Sequence, residues 1–465
     1  MKKLLTALLT CCLLLVSLPA HAETLVFRGF GLSWNAQQAF EEMCPDITIE
    51  TMSANNKEDA ITQALTNRDD SFDVFTLRVN YVYTRMLEKG LLGDLSGSEA
   101  LTADMADLDP NILSLLTDAE GRLRAYPAAM YLSGWSINEG FWRLVFGDEP
   151  LPTTMEELLT AWLVYETDYA DDYPDLDFDE NFAYDSWCEL LIREYALQYE
   201  EPGEALVLDT PPLRRALELL SDIRDARQKA GKATMSADYE NGWAEVATMI
   251  HRSGGSEIMA QFLNLDTGLP PELYGVEINA YTDLPLTFAA GDPVKLNAAM
   301  DVYVVNPYSN RQEAALRFIE STARAESNPY VTYAIHPSWT EPIENADYAL
   351  LVGIFQEERA TLEAALNEAE PADVADLQDA LAMNDYQLRQ LESARWAISP
   401  EKLAAYRAIS DRLDFHAYGL CSSTGTNAQT VIHELSSRYA EGAMSLDLFL
   451  SELESRIVMM VQENQ

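Results

Sequence analysis

Histidine and cysteine are scarce in this chain: there are five of each among 465 residues. His251, His336, His416 and His433 lie outside the first 22 residues, and no two of them stand at metal-ligand spacing. His433-Glu434 begins like a zincin helix, but Ser437 occupies the place of the second ligand. Basic side chains are few as well, with 31 Lys and Arg against 76 Asp and Glu, a net charge of −45. A field of that sign repels nucleic acid and anionic lipid surfaces, which argues against either as a partner. Catalytic motifs are missing too. No G-x-S-x-G occurs, and Gly29-Phe30-Gly31 lacks the third glycine of a dinucleotide loop. Ser399-Pro400-Glu401-Lys402 matches S-x-x-K, yet a helix N-cap serine followed by proline at the first helical position accounts for it. Asp175, Asp177 and Asp179 alternate like a calcium loop, but Glu180 stands at the turn-glycine position and Ser186 at the twelfth. A solvated acidic loop is expected there. No cofactor and no metal are expected.

Three cysteines, Cys44, Cys188 and Cys421, remain beyond Cys11 and Cys12. Their odd number and irregular spacing predict buried thiols with at most one disulfide, its members left open.

What is present begins with a leader. Lys2 and Lys3 precede an apolar run from Leu4 to Leu18, and Ala20-His21-Ala22 offers small residues at the cleavage positions. Cleavage is expected after Ala22. The run is short for a transmembrane span. Leu9-Thr10-Cys11 faintly matches a lipobox, but the apolar core continues past Cys12, so a freely soluble exported product is favoured.

The rest reads as alternating strand and helix. Thr24–Phe30 is an apolar strand, Ala36–Glu42 a helix, and Ile47–Met52 a strand by period; a helix at Glu58–Asn67 and an apolar strand at Val74–Leu77 follow. Helices are expected near 183–199 and 211–230, and a buried strand at Ala299–Val305. Residues 345–413 look all-helical. Val374, Leu381 and Leu388 repeat at seven, as do Leu377, Asn384 and Leu391, which predicts a narrow seam for one partner helix and hence an antiparallel hairpin.

Residues 71–96 are the most informative stretch: one strand, a polar break at Arg78 and Asn80, then an amphipathic helix ending at Gly90. Ligand crevices of open α/β sheets lie outside the carboxyl ends of the strands. Polar and aromatic residues at such loops are candidate contacts. Ser33, Arg78 and Asn80 are the hydrogen-bonding candidates. Trp34, Tyr81, Tyr131, Trp135, Trp187 and Trp243 are the ring candidates, though core packing is the default for any one of them. Trp162 is assigned to helix packing.

Five segments carry a resemblance to a family. They are Asp73-Val74 with Lys89–Ser96 downstream, Asp118 to Asn138, Pro152–Leu158, Pro307–Glu320 and Ser445–Gln465. In this order they resemble the bacterial extracellular solute-binding proteins, the ligand receptors of ABC importers, over nearly the whole chain. The resemblance implies an α/β, two-lobed periplasmic-binding-protein-like (type II) fold, to which the heptads of 374–391 add an extra C-terminal helical hairpin. The expected organisation is a signal peptide at 1–22, a first lobe of 23–130 plus 290–340, a second lobe of 131–289, and a helical region 341–465 packed on the second lobe. It further implies an extracytoplasmic monomer, not an enzyme, that presents a small solute, most commonly a carbohydrate, to a membrane permease. Rings would stack on the C–H faces of a sugar while polar side chains meet its hydroxyls. A cationic solute such as a polyamine, a secreted hydrolase and a surface scaffold are the alternatives. The lipid-anchor cysteine common in Gram-positive relatives is absent, which bears on anchoring and not on the fold.

Overall fold

The computed structural model describes residues 23–29, 32, 34–52, 58–173, 176–179, 182–200, 205–232, 247–253, 281–324, 329–345, 348–371, 374–393, 395–415 and 426–464. The expected leader, Ser33, Trp243 and Cys421 lie outside these residues. The strands are β1 (Glu23–Arg28), β2 (Ile47–Met52), β3 (Val74–Arg78), β4 (Tyr126–Asn138), β5 (Leu176–Asp177), β6 (Ala247–Thr248), β7 (Ile250–Ser253), β8 (Tyr281–Asp283), β9 (Leu296–Val305), β10 (Ile343–Glu344), β11 (Trp396–Ile398) and β12 (Leu413–Asp414). The chain divides into two compact units. The first comprises Met1–Ala129 and Asp301–Trp339, the second Met130–Met300 and Thr340–Gln465.

In the first unit β1 pairs in parallel with β2 and β3, and β3 pairs antiparallel with β9, giving the order β2-β1-β3-β9. The β3 sequence VFTLR is a near-continuous apolar run because the strand is covered on both faces: Val74, Phe75 and Leu77 are buried. Phe27, Tyr303 and Phe318 meet ring to ring at 5.3–6.2 Å, and Phe40 joins Phe318 at 5.5 Å. These contacts seat the helices Trp34–Met43 and Gln312–Thr322 on the sheet.

A buried carboxylate sets the register at the start of β3. Asp73 is fully buried, and a charge there must be bonded. Its Oδ2 accepts from the Val26 amide at 2.7 Å and its Oδ1 from Ser309 Oγ at 2.6 Å, with Arg311 Nη1 3.3 Å away. Asn306 Nδ2 donates to the Phe72 and Asp69 carbonyls, both at 2.8 Å. The Ser309–Glu320 segment thus holds the amino end of β3.

In the second unit, β4 pairs antiparallel with β7 through Gly134–Ile137 and with β8 through Ser136–Asn138, and β12 pairs in parallel with β9. Its core centres on Trp162, which stacks on Phe178 at 5.2 Å and 9° and meets Phe182 edge-on. The helix Met155–Val164 starts with a capping box: Thr154 Oγ1 accepts from the Glu157 amide at 3.2 Å, and Glu157 accepts from the Thr154 amide. The Thr153 amide and hydroxyl hold the Glu157 carboxyl below its usual range, which suits an anion at a helix start.

The acidic loop differs from the solvated loop expected. Arg227 is almost fully buried; its Nη1 donates to Glu166 Oε1 at 2.6 Å and to Asp177 Oδ1 at 2.7 Å, and Lys232 Nζ lies 3.1 Å from Glu166 Oε2. Asp179 Oδ2 accepts from Trp187 Nε1 at 2.6 Å. Two of the three alternating aspartates are therefore committed inward, because the buried guanidinium and indole need acceptors. Among the described residues no group of three or more His, Cys, Asp or Glu is placed to hold a metal ion.

The helices Tyr348–Glu368 and Val374–Ser393 pack against each other. Val374, Leu377, Leu381, Leu388 and Leu391 are half-buried and Asn384 is buried, while most of the other described side chains of the second helix are exposed. The stripe is narrow, as the heptad spacing predicts, and the first helix contributes no fully buried residue. Ser399 precedes the helix Pro400–Ile409 and accepts the Leu403 amide through its carbonyl, as an N-cap residue does.

Candidate functional site

The parallel strands β1 and β3 place the segments that follow them at one edge of the first unit's sheet. After β1 the chain turns at Gly29. A Cβ there would lie 2.4 Å from Thr76 Oγ1 and 2.7 Å from the Phe27 ring, so the tight approach of this loop to β3 leaves room for hydrogen only. The helix Trp34–Met43 begins directly beyond, and Trp34, its first residue, is 74 % exposed. An indole of that size left in water at a strand-end loop is available to stack on a ligand.

After β3, Arg78 forms a two-pronged contact with Asp301 on the adjoining strand β9: Nε to Oδ1 at 2.8 Å and Nη2 to Oδ2 at 3.2 Å. The pair lies opposite in the antiparallel register. Asp301 is nearly buried, whereas the Arg78 side chain keeps 39 % exposure. Two residues on, Asn80 caps the helix Tyr81–Glu88, its Oδ1 accepting from the Tyr83 amide at 3.1 Å. The helix is anchored by Tyr83, whose hydroxyl donates to the Leu115 carbonyl at 2.8 Å. Burial pushes that phenol well above its ordinary pKa, so it stays a neutral donor. The result is an exposed ring, a fixed guanidinium–carboxylate fork and a helix-capping amide carried on rigid elements. Such a set can offer one stacking face and oriented polar groups to a neutral polar ligand.

The remaining candidates separate. Tyr81 opens its helix and Tyr131 lies within β4. Trp135 and Trp187 are corrections: both are core residues of the second unit, 4 % and 5 % exposed. Their rings pack at 5.4 Å, and Trp187 meets Trp162 at 4.8 Å. Trp135 Nε1 donates to Glu194 Oε2 at 3.2 Å. Aromatic packing in a large core outcompetes solvent exposure for rings of this area. Trp162 is fully buried, in keeping with its assignment to packing. Sequence reasoning missed Asp301. The signal was present: one aspartate interrupts the apolar run Ala298–Val305, and a charge in a buried strand implies a partner. His433, the incomplete zincin match, instead pairs with Glu189, Nδ1 to Oε1 at 2.6 Å.

No family model matches this chain, and no curated protein does. Solved structures do. The GacH receptor of Streptomyces glaucescens GLA.O, studied unliganded and with acarbose, aligns at 14 % identity over 95 % of this chain and 100 % of its own, with a TM-score of 0.57. Maltose-bound MalE3 of T. maritima aligns at 16 % identity over 94 % and 100 %, TM-score 0.52. The ABC substrate-binding protein from Listeria monocytogenes in complex with cycloalternan aligns at 13 % identity over 94 % and 98 %, TM-score 0.52. At these identities the likeness is one of fold, and the chain has the α/β fold that these solved binding proteins share.

Proposed function

We propose that this protein is an extracytoplasmic solute-binding receptor of an ABC importer and that its solute is a carbohydrate. The observation that carries the reading is the 74 % exposed Trp34 at the start of the helix that follows β1, in a chain with this fold whose paired strand β3 ends on the Arg78–Asp301 fork. Solved chains of the same fold are described with acarbose, maltose and cycloalternan, which supports the sugar class. An aromatic face with fixed polar groups suits the apolar C–H face and hydroxyl rim of a sugar. The protein is a receptor without turnover in this reading, exported after removal of its leader and delivering its ligand to a membrane permease. Tyr81, Tyr131, Ser33 and Trp243 remain proposed contacts. Among the described residues no helix is long and apolar enough to cross a membrane.

Calorimetry and thermal shift against acarbose, maltose, spermidine and an oligopeptide test this. A sugar at 100 times its Kd should stabilise the protein by about 2.7 kcal/mol. Trp34→Ala should weaken sugar binding by about 1–3 kcal/mol, by analogy with base stacking on aromatic rings, with the melting temperature unchanged. Stabilisation by spermidine alone would replace sugar with a cationic solute. Release of reducing ends from the sugar would make the protein a hydrolase. Full sugar affinity in Trp34→Ala would move the site elsewhere.

A further inference from the structure

The two-helix segment 348–393 carries an apolar surface that the proposed receptor function does not use. Leu350, Ile354 and Met383 are 65 %, 51 % and 50 % exposed. Contacts across the seam place them on one flank. Asn384 Nδ2 donates to the Phe355 carbonyl at 3.1 Å, so Phe355 and Asn384 mark the middle of the seam. Arg359 Nη1 lies 3.3 Å from Asp385 Oδ1 and marks one side. Each residue of an α-helix turns by about 100°. Ile354, which precedes Phe355, and Met383, which precedes Asn384, therefore both turn to the side opposite Arg359 and Asp385. Leu350 lies one turn before Ile354 on the same flank. Glu358 reaches Asn384 Nδ2 from that flank at 3.3 Å. Glu357, Asp376 and Asp379 are exposed around it. Arg359 and Arg389 are the only basic residues of the segment.

We infer that this flank is a docking surface for a basic amphipathic helix of a partner protein. Apolar side chains of such a helix would cover Leu350, Ile354 and Met383, and its lysines or arginines would meet the acidic rim. Charge decides the occupant. Two copies of a chain of net charge −45 repel each other through acid-rimmed flanks, and an anionic membrane is repelled as well. A polar-only partner would leave the apolar side chains uncovered.

Fluorescence anisotropy with the full chain and two synthetic Leu/Lys peptides of equal composition tests this. One peptide has helical amphipathic order and the other is scrambled. The amphipathic peptide is expected to bind about tenfold tighter than the scrambled one. The variant Leu350→Ser/Ile354→Ser/Met383→Ser should lose that preference, and Leu448→Ser, at an exposed position elsewhere, should keep it. Glu357→Gln/Asp376→Asn/Asp379→Asn spares the apolar residues. It should weaken the amphipathic peptide several-fold and flatten its salt dependence, which tests the surface even if the serine variant unfolds. Equal binding of both peptides, or a preference that survives both variants, overturns the proposal. So does concentration-dependent dimerisation in sedimentation velocity that the serine variant abolishes, since the occupant is then a second copy.

Discussion

Arg78 and Asp301 are far apart in sequence and bonded twice in the structure, Nε to Oδ1 at 2.8 Å and Nη2 to Oδ2 at 3.2 Å. The fork joins the last residue of β3 to the first β9 residue of the first unit. It fixes the guanidinium at the strand end that carries the candidate site. Arg78→Met should leave the nearly buried Asp301 carboxylate without its strongest partner and cost about 1–3 kcal/mol. Urea denaturation measures this. Asp301→Asn in the same background should recover part of the loss, because the uncompensated charge is gone. No recovery would mean that Arg78 stabilises through its stem alone.

Trp187 sits between two other indoles and donates to Asp179. Trp187→Ala should destabilise the second unit by about 3–5 kcal/mol. Chemical denaturation with tryptophan fluorescence reads it. Sugar binding per folded molecule should be unchanged. A loss of affinity without a loss of stability would return Trp187 to the ligand contacts.

His433 has a folded pKa above its ordinary value, chiefly through its hydrogen bond to Glu189. The sign follows from linkage. A raised folded pKa gives a contribution fully present below about pH 6.5 and lost as pH rises through the folded value. The ring is 66 % exposed, so the contribution should stay under about 1 kcal/mol. Proton NMR titration of the His433 ring should show the raised midpoint, and Glu189→Gln should lower it. An unmoved midpoint in the variant would assign the shift to Asp185 instead.

Asn384 is the buried polar member of an otherwise apolar seam, and among the described residues its Oδ1 has no hydrogen-bond partner. Asn384→Leu should stabilise the helix pair by about 1 kcal/mol and loosen its register, since a buried amide disfavours misaligned pairings. Hydrogen exchange in 348–393 should slow. Faster exchange would mean that the bond to the Phe355 carbonyl contributes more than apolar packing at this position.

The sequence alone determined the elements. Apolar alternation over Ile47–Met52, the largely apolar runs of β3 and β9, the Thr154 cap and the heptads of 374–391 are local patterns. Each reports a face or an end whose burial is settled within a few residues. The scarcity of histidine and the excess of acid likewise bound the chemistry. The expected helix at 36–42 and the observed Trp34–Met43 differ only at the ends, where local signals are weakest. Of the candidate site, the strand-end positions of Trp34, Arg78 and Asn80 were legible, because a strand followed by a polar break and a helix start defines a loop. Which ring stays in water was not. Trp34 and Trp187 both stand near helix starts, and their difference is made by residues distant in the chain. The neighbours of Trp187 come from β4, the helix Met155–Val164 and Asp179, whereas 74 % of Trp34 remains exposed. The partner of Arg78 was hidden for the same reason. Asp301 announced itself as a charge in an apolar strand, but only tertiary pairing, which depends on long-range register, decided which cation would meet it.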